Sequence, residues 1–436
     1  MKRVLILTNS FPPVNEVCVY RYLSCAQYLR QHGWTSVVLT PEWTLSKRTY
    51  FERRMGLADS VHGCSKRWDP HFNADESILV ERVPFQDPQE KKAPVWREWW
   101  AKHTHTYAKY VMGDLPCNML RAGRVACQRT KFDAIISGGD PEYLFRVASQ
   151  LCWEWKIPWI ADYRDVVDQF PVTTTNPVSY LLTHLARRVL IARNNRHVQA
   201  ASARVTVSEG FAEILRARNR IPVHVIRNGF DPNDFRAYLE RARKANACFT
   251  VTYGGTLYDV QDPSVFLDGI DLFLEDTVQA REKMQVVFFG QSSDAIRAKL
   301  SRMKHRDVIV FGGTVTRPDM VERYCASDIL LLVPAQGSAR GKGHTPAKLF
   351  EYLGSERPIL SAPEDGDITD RILAETKAGV VATTPGAVAR QVRAWYREWC
   401  ETGTVASRCL KQEVYKYTRQ SQAKQMAEVL DEVSRD

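Results

Sequence analysis

The chain has 436 residues, 44% of them hydrophobic, with 60 Lys and Arg against 50 Asp and Glu for a formal charge of +10. That length exceeds one ordinary core and predicts two domains, and that hydrophobic share excludes a disordered chain. The positive balance and a pI near 9.1 call for an anionic partner without choosing between a nucleotide, a membrane surface and a nucleic acid.

Ten cysteines without a C-x-x-C pair speak against a zinc ribbon and for a reduced, cytoplasmic setting. His103 and His105 in "HTHTY" form an isolated pair, too few ligands for a metal site. "VLILT" after Met1 to Arg3 is too short for a signal core, and no later run reaches the ~18 apolar residues of a membrane span.

In chain order, "VLILT", "SVVLT", "ILVERV", "DAIIS", "PWIADY", "RVTVS" and "VHVIR" read as buried strands separated by helical patterns, the signature of an α/β domain with a parallel sheet. "DPNDFRAYLERARKANAC" (231–248) is polar, carries no strand pattern and reads as a linker. A second series follows as "FTVTYGG", "QVVFFG", "DVIVFGG", "DILLLVP", "RPILSA" and "AGVVA". The last segment is an amphipathic helix with Met426, Val429, Leu430 and Val433 on one face. The expected architecture is thus α/β, two Rossmann-like domains: 1–235 joined by a returning helix within 412–436, and 249–411.

The loop after the first strand, "TNSFPPVNEVCVYRYL", lacks G-x-G-x-x-G, which disfavours a nicotinamide or flavin enzyme. It offers Asn15 and, one helical turn on, Arg21, a residue that either meets an anion or decorates a helix surface. In "ISGGDPEYLF", Asp140 precedes a proline and reads either as a helix N-cap or as a site carboxylate. In "ADYRDVVD", Asp162 and Asp165 flank Arg164; they form a structural ion pair or orient a hydroxyl and accept its proton.

In the second half, "YGGTLY" puts Gly254, Gly255 and Thr256 at a strand end, where glycine permits close backbone approach to a ligand. "GKGHTPAKLFEYLGSERPIL" (341–360) reads as a glycine loop with Thr345 as N-cap, Pro346 as first helical residue, and Leu349, Phe350 and Leu353 on the apolar face. Such a helix start at the carboxyl edge of a parallel sheet favours an anion. Lys348 and Glu351, three apart, share a helix face and either serve one ligand or form a surface pair. "DGD" at Asp365 to Asp367 has metal-motif spacing but reads as a loop and helix cap, with Asp367 as the cap.

Taken together, "FPPVNEVCVYRYLSCAQYLRQHGW", "PWIADYRD", "VTVSEGFAEIL" with "VIRNGFDPNDF", "YGGTLY" and "AKLFEYLGSERPIL" resemble, in order and over nearly the whole chain, a GT-B glycosyltransferase of the retaining family 4 type. The resemblance implies two Rossmann-like domains facing across a cleft, with the acceptor held by the first and a nucleotide sugar by the second. It implies that Glu351 binds the ribose hydroxyls and that no metal or other cofactor is required. Two departures stand out: the family's first helix glutamate falls on Gly343, and its Arg and Lys pair after the first donor loop is not evident. Arg340, Lys342 and Lys348 are then the candidates to meet the diphosphate, with Gly255, Thr256 and Thr345 beside them. Asp140, Asp162 and Asp165 are the candidate catalytic carboxylates, and Asn15 and Arg21 the candidate acceptor-side residues.

The function so implied is transfer of a sugar from a nucleotide diphosphate donor to a saccharide or lipid-linked acceptor, in polysaccharide or glycoconjugate synthesis. The alternatives are a catalytically silent GT-B protein that binds a saccharide or a partner enzyme, and a GT-B nucleotide-sugar epimerase. Nine arginines against two acidic residues between Leu181 and Arg227, with Trp96, Trp99 and Trp100 among basic residues, suit an anionic membrane surface, equally a solvated face with packed tryptophans. No nucleic-acid module is readable. The expected location is cytoplasmic, peripheral on the inner face of the membrane.

Overall fold

The computed structural model describes residues 1–15, 17–44, 75–84, 114–139, 143–166, 177–241, 245–258, 260–335 and 343–435. The chain divides into two compact units, Met1–Arg227 with Gln422–Asp436, and Asn228–Ser421.

The first unit is built on β1 (Lys2–Leu7), β2 (Trp34–Pro41), β3 (Leu79–Val83), β4 (Ala134–Gly138), β5 (Trp159–Tyr163), β6 (Ala203–Thr206) and β7 (Val223–Val225). These pair in the order β3-β2-β1-β4-β5-β6-β7, and every pairing is parallel. Its helices include α1 (Val17–Tyr28), α2 (Leu115–Arg129), α3 (Tyr143–Trp155), α4 (Pro177–Val198) and α5 (Glu209–Arg216). Alternation along β1 explains why the sheet is covered on both sides. Leu5 and Leu7 enter one core cluster, Val4 and Ile6 another, so a slip of one residue would exchange every side chain between faces. The second cluster is completed by the C-terminal helix Arg419–Val433, through Met426, Val429, Leu430 and Val433. Lys2 Nζ and Trp34 Nε1 both donate to Asp431, at 2.9 and 3.2 Å.

The second unit opens with α6 (Pro232–Leu239), followed by β8 (Phe249–Gly254), α7 (Ser264–Asp276), β9 (Met284–Phe289), α8 (Asp294–Ser301), β10 (Ile309–Gly313), α9 (Arg317–Ala326), β11 (Ile329–Leu332), α10 (Ala347–Gly354), β12 (Ile359–Ser361), α11 (Ile368–Thr376), β13 (Gly379–Val381) and α12 (Pro385–Thr402). The strand order is β10-β9-β8-β11-β12-β13, again all parallel. On β11, Ile329 and Leu331 face one cluster and Leu330 and Leu332 the other. In each sheet the winding direction reverses beside the first strand, at β1/β4 and at β8/β11. The carboxyl ends flanking such a reversal are where open α/β sheets hold ligands.

Two expectations are corrected here. The segment read as a linker contains α6: Asp231 caps it by accepting from Asn233 N at 2.9 Å, and the fully buried Phe235 packs edge-on against Phe230 at 5.8 Å. The polar composition of 231–248 hid these anchors because one buried aromatic suffices to dock so short a helix. The first unit accordingly ends at Arg227 rather than at 235, and its C-terminal part resumes at Gln422 rather than at 412. Between those points Val414 and Tyr417 pack in a cluster of the second unit.

Candidate functional site

Tyr253 and Gly254 end β8 on the reversal point of the second sheet. A Cβ on Gly254 would lie 2.1 Å from the Tyr324 hydroxyl oxygen, and its N–H donates to Tyr352 Oη at 3.0 Å. Only glycine fits this approach. Burial pushes the Tyr352 and Tyr324 hydroxyls well up from their ordinary pKa, so both stay protonated. Gly255 follows with φ +101°, a conformation that a side chain strains, and its N–H donates to Phe289 O at 3.0 Å. A Cβ there would lie 3.6 Å from both Cε and Nζ of Lys348, so the lysine head stands directly over the exposed Gly255 backbone.

Lys348 comes from the first turn of α10. Its Nζ lies 3.8 Å from the Tyr253 ring centroid and donates to Tyr253 Oη, which in turn donates to Thr256 O at 3.1 Å. The ring quadrupole and the hydroxyl dipole both favour a cation here. Gln261, which the sequence reading passed over, pins the same loop. Buried at 5% exposure, it accepts from Tyr258 N at 3.1 Å and donates to Val333 O at 2.7 Å, tying the loop after β8 to the end of β11. A glutamine in a polar stretch carries no sequence signal of this kind.

The helix α10 begins at Ala347, with Pro346 at ψ 131° as its N-cap residue and no side-chain cap. This corrects the expected start: Pro346 is extended and half outside the helix, so Thr345 precedes the cap and is half-buried in the loop. Glu351 Oε1 stands 3.4 Å from Arg317 Nε, and Arg317 Nη2 donates to Asp234 Oδ2 at 2.8 Å. Lys348 and Glu351 thus share the helix but take different partners. Gly343, at φ +94°, donates its N–H to Asp367 Oδ2 at 2.7 Å, and Asp367 Oδ1 accepts from Arg371 Nη2 at 3.0 Å. The capping expected of Asp367 falls to Asp365, which accepts from the N–H groups of Asp367 and Thr369 at 2.8 and 3.0 Å. "DGD" is a loop brace, and no cluster of three metal-ligating side chains occurs among the described residues. Arg340 and Lys342 lie outside the described residues.

In the first unit, Arg21 and Asp162 are given to each other. Arg21 Nε and Nη2 donate to Asp162 at 2.7 and 2.9 Å, and Nη1 donates to Ile226 O at 3.0 Å. The side chains are 3% and 0% exposed. Burial alone would lower the guanidinium pKa, but the Asp162 charge and hydrogen bonds outweigh it and raise it. This corrects both assignments: a buried carboxylate with a forked arginine on it does not face a substrate hydroxyl, and the arginine has no exposure to meet an anion. Arg164 pairs instead with Asp165, Nε to Oδ2 at 2.7 Å, and Asp165 keeps 32% side-chain exposure. Asn15 Oδ1 accepts from Tyr20 Oη at 2.7 Å.

Asp140 lies outside the described residues, as do Trp96, Trp99, Trp100 and the His103 and His105 pair. Next to Asp140, Gly139 N donates to Asp162 O at 2.9 Å. The sequence reading also passed over Asn9, buried after β1, whose side-chain oxygen accepts from Tyr143 Oη at 3.0 Å while its carbonyl accepts from Trp43 Nε1 at 2.6 Å.

A family profile described as "Glycosyl transferase-like" matches residues 271–428. No curated protein sequence matches the chain. Among solved structures, Anabaena HepE in complex with UDP superposes with a TM-score of 0.59 at 14% identity, over 99% of this chain and 100% of that one. A glycosyltransferase from Rickettsia africae gives 0.60 at 11% identity, covering 99% and 98%. The N-terminal domain of trehalose-6-phosphate phosphatase from Candida albicans gives 0.62 at 12%, covering 100% and 97%. Likeness at such identities is likeness of fold, and it establishes that the two parallel sheets of this chain make up a GT-B-like fold.

Proposed function

We propose that the protein is a glycosyltransferase that moves a sugar from a nucleotide diphosphate donor to a saccharide or lipid-linked acceptor. The observation that carries this reading is the Lys348 ammonium held over the exposed Gly255 backbone at the carboxyl edge of the reversal point. Support comes from the glycosyl transferase-like sequence over 271–428 and from a similarly folded protein solved with UDP.

In the proposed reaction the bond from the sugar anomeric carbon to the diphosphate breaks and a bond to the acceptor oxygen forms. The diphosphate gains charge as it leaves, and a fixed cation stabilises that charge more than it stabilises the bound ground state. Lys348 takes this role, with Arg340 and Lys342 as further counter-charges, Gly255, Thr256 and Thr345 lining the diphosphate, and Glu351 accepting from the ribose hydroxyls. Asp367, braced on Gly343 N–H, is the carboxylate standing next to the position that the family glutamate would occupy. On the acceptor side Asn15, Asp140 and Asp165 remain the candidates. The finer reading is a metal-independent, retaining transfer in which the donor phosphate takes the acceptor proton, on the cytoplasmic face of a membrane. A silent GT-B binding protein is the second reading, favoured by Gly343 in place of a carboxylate.

The test is nucleotide binding by calorimetry across UDP, GDP, ADP, CMP and dTDP, followed by product analysis with the sugar donor of the base that binds. Binding weakened in Glu351→Gln, turnover reduced more than binding in Lys348→Met, and anomeric configuration kept in the product of the parent enzyme support the reading. Tight binding without turnover of any donor supports the silent protein, and no nucleotide binding sinks the transferase reading.

A further inference from the structure

The helix α4 of the first unit has an outward face with a composition that burial in its own unit does not explain. Leu181, Leu185 and Val189 are 69, 54 and 61% exposed. Leu181, Leu185 and Val189 are four residues apart, so they form one row along the helix. The opposite side does the packing, with Asn194 and Val198 buried and Val198 in a core cluster of the unit. Along the same outward face, toward the C-terminus, come Arg188, Arg193 and Arg196, all exposed. The helix is therefore apolar outward in its first half and basic outward in its second.

We propose that this face of α4 lies on an anionic phospholipid bilayer, with Leu181, Leu185 and Val189 in the boundary between headgroups and acyl chains and the arginines on lipid phosphates. Charge complementarity selects this occupant. From Gln169 to Ser208 the sequence holds five arginines and no aspartate or glutamate, so nothing on the helix repels a negative surface. Two copies packed on this face would bring like-charged helices together, which costs free energy. A nucleic-acid backbone would satisfy the arginines but leave the leucine row without an apolar partner. A lipid interface satisfies both halves. Among the described residues no helix is long and apolar enough to cross a membrane, so α4 lies on the surface in this arrangement. The inference rests on the surface of the first unit alone and is tested without donor, so its outcome is separate from that of the transferase reading.

The test is flotation of the full chain with vesicles of phosphatidylcholine alone and of phosphatidylcholine with phosphatidylglycerol, at low and high salt. Binding is expected to the anionic vesicles only and to weaken as salt rises. The variant Leu181→Gln/Leu185→Gln/Val189→Gln should lose about tenfold or more in affinity through its lost apolar insertion. Arg188→Gln/Arg193→Gln/Arg196→Gln should lose on the order of a hundredfold, at about 1 kcal/mol per arginine near an anionic surface. All six positions are exposed, and an unchanged melting curve establishes that the variants fold. Absence of binding to anionic vesicles, or binding that both variants keep, overturns the proposal. So does a concentration-dependent dimer that the apolar variant dissolves while the parent ignores vesicles, which assigns the face to a second copy.

Discussion

The Lys348 ammonium sits 3.8 Å from the centroid of Tyr253, a contact that joins the first turn of α10 to the last residues of β8. The aromatic face holds the cation where the Gly255 backbone is open, so the tyrosine sets the lysine's position. Tyr253→Leu should keep much of the apolar volume while removing the ring and its hydroxyl. About 0.5–2 kcal/mol of cation–π attraction would be lost, and nucleotide affinity should fall with the lysine released. Lys348→Met should reduce kcat by on the order of a hundredfold with a smaller change in KM, because charge on the leaving diphosphate is largest in the transition state. Steady-state kinetics on the two variants separate position from charge.

Glu351→Gln retains helix propensity and shape but loses a charged acceptor. Nucleotide binding should weaken by on the order of 1.5–3 kcal/mol, measured by calorimetry, while the melting temperature changes little because both residues are good helix formers. The pairing of Glu351 with Arg317 makes a control available: Arg317→Gln should leave Glu351 in place for the ribose and weaken binding less.

Asp162→Asn leaves the Arg21 guanidinium buried without its countercharge and should cost about 3–5 kcal/mol of folding free energy. A double substitution, Arg21→Met with Asp162→Leu, should recover much of that loss, since replacing both members of a buried pair with apolar groups removes the unpaired charge. Urea unfolding followed by circular dichroism reads both. Loss of activity without loss of stability in Asp162→Asn would return the residue to a catalytic role.

Gln261→Leu removes a buried donor from Val333 O and an acceptor from Tyr258 N. A stability loss of about 1–3 kcal/mol is expected from the unsatisfied backbone groups. Nucleotide affinity should drop as well, since the loop carrying Gly255 and Thr256 loses its tie to β11. A variant that loses stability with unchanged affinity would separate the tie from the site.

Transfer activity should survive a chelator, because the proposed counter-charges are lysine and arginine side chains. Activity abolished by chelation and restored by manganese would assign the diphosphate to a metal instead.

Unbroken apolar runs by themselves determined much of this molecule. Val4 to Leu7 and Ile329 to Leu332 read as two-sided buried strands, and two series of them separated at 231–248 required two parallel sheets, because a strand buried on both faces is apolar at every position. The apolar stripe of Met426 and Leu430 likewise demanded a partner core. The charged residues were different. Arg21 meets Asp162 141 residues away, and Lys348 meets Tyr253 95 residues away, and neither pairing has a local signature. Whether a carboxylate at a strand end is a base or half of a buried ion pair depends on what the next element brings against it. Only the packed chain decides that, because Coulomb attraction and desolvation act through space and not along the sequence.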